Sequence, residues 1–164
     1  EIIHRDLKLE NIIYSDVERT NIKVIDFGIS GLFKRDNFSA GTVRYLPPEI
    51  LTGADCDSKP SIDCWAIGCI TYELITGEKL FKGDNYQEIK DNVIKGKTVL
   101  ANNISKEASH FINNLINEDP RERMSITEAK LHAWTVNKYL SNSDNKAELP
   151  VSELSTKCSL SPIK

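Results

Sequence analysis

No apolar stretch in this 164-residue chain is long enough to cross a bilayer. The longest, Cys64 to Ile75, is interrupted by Thr71 and Glu73 and falls short of the ~20 residues a spanning helix needs. Neither sign of charge dominates. The net charge is −3 with acids and bases interspersed, so nothing electrostatic points to nucleic acid or an anionic membrane as partner. Cys56, Cys64, Cys69 and Cys158 form no C-x-x-C pair, and no histidines stand at metal-ligand spacing, which argues against a zinc module or a disulfide framework. Two of the cysteines sit inside the apolar run, where a free thiol acts as a small hydrophobe. That usage favours a reducing, intracellular and cytoplasmic setting. Within these residues there are no internal repeats, nothing reads as a signal peptide, and no Met stands ahead of the opening segment EIIHRDLKLENII.

With 40 % apolar and 27 % charged residues, the length supports one globular domain with a real core. NIIYS and NIKVI are β-branched runs flanking the polar DVERTN, which predicts a short hairpin over 12–25. From Asp26 to Leu46 no period is visible, and Gly28, Gly31 and Gly41 punctuate a long loop. Helices follow. SIDCWAIGCITYELITG is apolar or small on nearly every face, as a buried central helix ending at Gly77 would be. DNYQEIKDNVIKG places Tyr86, Ile89 and Val93 on one side. SKEASHFINNLIN aligns Ala108, Phe111, Ile112, Leu115 and Ile116 at helical spacing. SITEAKLHAW starts with a capping box, Ser125 and Glu128. The expected fold is mainly α: a hairpin, a loop, then helices around a buried central one. Residues 135–164, rich in Ser and polar groups, read as a disordered tail without a basic amphipathic helix for calmodulin.

The chemistry gathers at the start. Asp6 can accept a proton, Lys8 can neutralise an anion, and Asn11 can ligate a hard cation through its amide oxygen. The hairpin returns a second carboxylate, Asp26, to the same edge. That set suits Mg²⁺-assisted phosphoryl transfer. Taken singly, each residue reads as a turn former or a surface charge. In combination, H-R-D-L-x-x-x-N followed across a hairpin by D-F-G is a protein-kinase signature. The sequence resembles the C-terminal lobe of a eukaryotic protein kinase, the resemblance running from His4 to Trp134. GTVRYLPPE resembles the substrate-binding segment, with Pro47 where Ala is usual; DCWAIG resembles a central-helix motif; EDPRERMSITEAKLHAW resembles the last helices. The wording is closest to the calmodulin-dependent and AMP-activated group. The implied domain is 1–134.

The resemblance implies a serine/threonine kinase that transfers the γ-phosphate of ATP to protein substrates. Asp6, Lys8, Asn11, Asp26 and Thr42 are the implied catalytic set. Lys8, Glu10, Asn11, Ile13 and Asp26 are the implied nucleotide-binding set, with Ile13 beneath the adenine. Asn11 and Asp26 are the implied Mg²⁺ ligands. Thr42 and Lys8 follow the serine/threonine pattern, and Ile29 after D-F-G implies a preference for threonine as acceptor. Glu10 and Glu73 match positions that bind an arginine upstream of the acceptor; the other reading is a solvated loop acid and a helix acid paired within the fold. Arg5 implies regulation by a phosphate or acid, yet Phe38 stands where a phosphorylated threonine is usual. Ser39 and Asp36 are the substitutes on offer, unless Ser39 is an ordinary loop serine. Glu49 and Arg123 match a buried ion pair, and Asp63 matches a carboxylate that holds the catalytic loop. His4 matches a residue packed on the D-F-G phenylalanine. Trp65 and Trp134 are expected in the core, while His110 and His132 receive no chemistry.

A kinase also needs a Gly-rich loop, a strand lysine and its glutamate partner. No G-x-G-x-x-G and no V-A-I-K-like strand occurs in these residues. The expectation is a fragment that begins inside its domain, lacks the N-lobe, exposes apolar surface and is inactive alone. Two other readings compete: a non-catalytic docking or decoy module, and a small-molecule kinase, for which a peptide-binding GTVRYLPPE would be superfluous.

Overall fold

The computed structural model describes residues 2–27, 38–54, 60–96 and 100–136. The hairpin comes first. β1 (Ile12–Tyr14) pairs antiparallel with β2 (Ile22–Val24), Ile12 facing Val24, Ile13 facing Lys23 and Tyr14 facing Ile22. Asp16 shapes the turn between them, its carboxylate accepting the Thr20 and Asn21 amides at 2.8 Å each. The Thr20 amide, with help from its hydroxyl and Asn21, holds the Asp16 carboxyl below the usual carboxylate range. The strands are only three residues long and mostly exposed, although Ile12 packs against the core. Ile2, Tyr14, Val17, Ile22 and Phe27 are all exposed.

Every element named after the hairpin among the described residues is a helix: α1 (Ala40–Val43), α2 (Pro48–Thr52), α3 (Ser61–Thr76), α4 (Tyr86–Lys95), α5 (Lys106–Leu115) and α6 (Ile126–Leu131). α3 is the centre, as its all-round apolar character predicts. Ile62, Cys64, Trp65, Ala66, Gly68, Cys69, Ile70 and Tyr72 are buried along it. Gly77, at φ 72°, closes it in the left-handed conformation that glycine adopts without a Cβ penalty. α5 lays Ala108, Phe111, Ile112 and Leu115 against α3. The approach is close enough that a Cβ on Gly68 would lie 2.7 Å from Ile116 Cγ2 and 2.9 Å from Leu115 Cβ. Asn85, Ser105 and Ser125 cap the helices that follow them, Ser125 with the reciprocal Glu128 bond of a capping box. No helix among the described residues is long and apolar enough to cross a membrane.

Three details depart from the sequence reading. The loop expected from Asp26 to Leu46 contains the single turn α1, because the Ser39 hydroxyl caps it by accepting the Thr42 amide. α2 was not expected, although Pro48 at its first position and Gly53 at φ 78° just past its end are start and stop signals. α4 does present Tyr86, Ile89 and Val93 on one side, Ile89 and Val93 buried and Tyr86 half-buried against the core. α6 ends at Leu131 instead of running through Trp134, since His132 turns extended at ψ 140° and a new turn forms over 133–136. Trp134 is consequently half-buried at the core's edge, while Trp65 is fully enclosed. Gly28, Ile29, Gly31, Asp36, Cys56, Cys158 and residues from 137 onward lie outside the described residues.

Candidate active site

The segment from His4 to Asn11 is bound at both ends before it presents anything. Asp63, in the first turn of α3, accepts the backbone amides of His4 and Arg5 at 2.8 Å each. These bonds hold Arg5 at φ 68°, a left-handed backbone that costs a side-chain-bearing residue ~1–2 kcal/mol. The His4 ring accepts the Asp6 amide at Nδ1 (3.3 Å), so its proton sits on Nε2 and is donated to the Ile25 carbonyl at 2.9 Å. The same ring packs 4.6 Å from Phe27. His4 is thus a brace tying this segment to the end of the hairpin.

Asp6 is buried, and its Oδ2 accepts Lys8 Nζ at 2.8 Å and Asn11 Nδ2 at 3.3 Å. The lysine offsets the cost of burying the carboxylate. Lys8 Nζ also lies 3.4 Å from Thr42 Oγ1, which accepts the Ser39 hydroxyl at 3.2 Å. Residues 6, 8, 11 and 42 therefore share one hydrogen-bonded cluster. Asn11 spends Nδ2 on Asp6, bonding its backbone carbonyl at 2.8 Å as well. Its Oδ1, the atom a hard cation takes, has no protein donor among the described residues.

Asp26 enters through the backbone. The Asn11 carbonyl accepts the Ile25 amide at 2.9 Å, extending the ladder by one residue, and Asp26 comes next. It is exposed, at φ 63°, and no donor among the described residues takes its carboxylate. An unclaimed amide oxygen and an unclaimed carboxylate on paired chain segments are a donor set that suits Mg²⁺. Among the described residues no three His, Cys, Asp or Glu side chains gather as a metal cage, so a cation here would rest on this pair and on substrate oxygens.

Glu10 and Ile13 stand outside the hydrogen-bonded cluster: Glu10 is exposed in the 3-10 turn Leu9–Asn11, and Ile13 is 38 % exposed on β1. Glu73 is held within the fold. The Tyr45 hydroxyl donates to its Oε2 at 2.6 Å, and Lys79 Nζ lies 2.5 Å from Oε1 and 2.8 Å from the Tyr45 oxygen. Burial, reinforced by Glu73 and more weakly by Glu10, pushes the Tyr45 phenol well above the usual tyrosine range. Tyr45 and Lys79 were missed because residues 34 positions apart carry no spacing signal. Below the site, Glu49 and Arg123 form a bidentate pair at 2.6 and 2.9 Å, the guanidinium lying over Trp65.

Comparison with known proteins follows the same residues. Positions 1–135 match the family model for the protein kinase domain. The chain is 35 % identical over 156 residues to a probable serine/threonine-protein kinase of Dictyostelium discoideum, covering 93 % of this chain and 18 % of that protein. It is 35 % identical over 136 residues to the SNF1-related protein kinase catalytic subunit alpha KIN12 of Arabidopsis thaliana, covering 81 % and 27 %. The SNF-related serine/threonine-protein kinase of Homo sapiens is 33 % identical over 136 residues, covering 81 % and 18 %. The chain spans 18–27 % of the length of these three relatives.

Proposed function

This chain belongs to the protein kinase family, and from that membership we propose that it carries the catalytic loop and the substrate-side lobe of a serine/threonine protein kinase. The observation that carries the reading is the cluster around one carboxylate: Asp6 held by Lys8 and Asn11, with Thr42 behind the lysine. In this reading Asp6 orients the acceptor hydroxyl and receives its proton, a role that contributes ~10²–10⁴-fold in rate. Lys8 reaches the γ-phosphate of ATP from a position fixed by Thr42. Asn11 Oδ1 and the Asp26 carboxylate are the oxygens that would hold Mg²⁺, which when bound neutralises charge on the phosphates. Glu10 and Ile13 lie on the nucleotide side, Ile13 offering apolar surface to a base.

The acceptor protein is read differently from the simplest expectation. Glu73 already has Tyr45 and Lys79 on its two oxygens, so we assign any preference for an upstream basic residue to the exposed Glu10. In a peptide library, Lys79→Ala should raise selection for upstream arginine by freeing Glu73. An unchanged profile would mean that Glu73 takes no part in reading substrate.

The test of the main reading is phosphotransfer from Mg–ATP to a Ser/Thr peptide library, in a protein joining these residues to a Gly-rich loop and strand lysine. Transfer to Ser or Thr that falls ~10²–10⁴-fold in Asp6→Asn is expected. Transfer unaffected by that change, or directed to tyrosine, overturns it. Residues 1–164 alone, which contain no such loop or lysine, should give none above background. The alternative, a docking module, is favoured by the exposed apolar hairpin and would bind kinase substrates without any transfer.

A further inference from the structure

Away from the site just described, two histidines that no motif absorbs meet edge to edge. The rings of His110, on α5, and His132, just past α6, lie 23° from parallel with centroids 5.1 Å apart, and His110 Nδ1 lies 2.8 Å from His132 Nε2. Two ring nitrogens at that distance require one N–H and one lone pair. The backbone decides which is which. The Trp134 amide donates to His132 Nδ1 at 3.1 Å, so Nδ1 carries no proton and Nε2–H donates to His110 Nδ1. Asn114 Nδ2 sits 3.2 Å from both His110 nitrogens while donating to the His110 carbonyl at 2.9 Å, keeping the ring in place. The chain of donors runs Trp134 N–H, His132, His110; its first link needs His132 neutral and its second needs His110 neutral.

We propose that this histidine pair is a proton-operated latch that fastens the 132–136 turn to α5 and lets it go in mild acid. Protonating His132 puts a second N–H against the Trp134 amide, and protonating His110 at Nδ1 puts one against His132 Nε2–H. The first event removes a bond that shapes the 132–136 turn, and the second removes the bond that crosses from that turn to α5. The contacts that stay include Phe111 against Trp134 (4.9 Å) and against His132 (5.2 Å), and the Thr135 hydroxyl on the Ala129 carbonyl (2.8 Å). Metal capture by the same nitrogens is opposed by the same backbone donor, because a ligating Nε2 would leave the proton on Nδ1, facing Trp134 N–H.

The charged surroundings do not override this. On α5, Lys106 and Glu107 precede His110 by four and three positions, opposite charges on the same face. On α6, Glu128 is held by Ser125, and Lys130 is the other charge. The loop that bonds Asn114 through the Met124 amide commits Asp119 to Arg121 and Arg123 to Glu49. α3 contributes the uncharged Ile67 to the groove shared with Phe111, Thr135 and Val136. Burial first, and His110 second, push the His132 imidazole below the ordinary histidine value. The released segment therefore binds more protons than the latched one. The latch is complete above the unfolded value of about 6.5 and is lost as pH falls through the lower folded value. Because Thr135 and Val136 form one wall of that apolar groove, its release opens the groove.

Hydrogen exchange and imidazole ¹⁵N NMR on the full 164-residue chain test this. Between about pH 7.5 and 5.5 the Trp134–Val136 amides should lose protection after correction for intrinsic rate, while α5 holds. His132 should show a bare Nδ1 and titrate below ordinary histidine. The exposed His110→Asn should bring the His132 titration back toward the ordinary value, and His132→Gln should abolish the pH dependence. Equal protection at the two pH values, or a His132 that titrates at or above the ordinary value in the unaltered chain, overturns the proposal. Should His132→Gln not fold, the His110→Asn titration decides the same question.

Discussion

Arg123 has no exposed side-chain surface, and its two terminal nitrogens are spent on Glu49 with a further bond to the Ser61 carbonyl at 3.0 Å. Removing one partner strands the other charge in the core. Glu49→Ala or Arg123→Ala should therefore cost ~3–5 kcal/mol in urea unfolding, and a loss under ~1 kcal/mol would show that water reaches the survivor. Asp63 presents a second residue-level dependence. Its carboxylate is the acceptor that holds His4 and Arg5, so Asp63→Ala should lose about 1.5–3 kcal/mol per charge-assisted bond. The change should also release the Asp6–Lys8–Asn11 cluster, seen as new averaged NMR shifts for those side chains. Unchanged shifts would mean that His4, through Ile25 and Phe27, suffices to hold the loop.

Among the elements, α3 against α5 is the joint on which the core depends, and Gly68 sets how closely they meet. In an isolated helix Gly68→Ala would be favourable by about 1 kcal/mol. Here the added methyl meets Ile116 and Leu115 at 2.7 and 2.9 Å, and overpacking of that kind costs ~1–3 kcal/mol. A net destabilisation in thermal unfolding is expected; a stabilised Gly68→Ala chain would mean that α5 can slide away freely. At α6 the capping box is the local determinant of where the helix starts. Ser125→Ala should cost about 1 kcal/mol, with fraying confined to the first turn.

Over the whole molecule, burial is lopsided. Helices enclose Trp65, Ile112 and Leu115 completely, while Tyr14, Val17, Ile22 and Phe27 stay open on and around a hairpin of three-residue strands. A two-stranded hairpin is marginal without a covered face. Its amides should exchange orders of magnitude faster than those of α3. Protection equal to that of α3 would show that something, another part of the chain or a second copy, covers that face in solution. The core side of the asymmetry has its own readout. Burial raises the thiols of both Cys64 and Cys69. Both should resist alkylation near pH 8 until denaturant is added, and labelling at the rate of a free thiol would contradict the packing around α3.

Periodicity and caps carried the helices because each depends on neighbours three or four positions away. The stripe Ala108, Phe111, Ile112, Leu115 and the pairing of Ser125 with Glu128 are written locally. The meeting of Asp6, Lys8 and Asn11 in one hydrogen-bonded cluster was equally legible, since they lie within six consecutive residues. α2 escaped although Pro48 and Gly53 announced it, because five residues are too few to show a period. The meeting of Tyr45 and Lys79 at Glu73, the pairing of His110 with His132, and the halt of α6 before Trp134 left no trace in spacing. Such contacts are settled by how α3, α5 and the loops pack, and side chains 22 to 34 positions apart become partners only once the core has brought their backbones together.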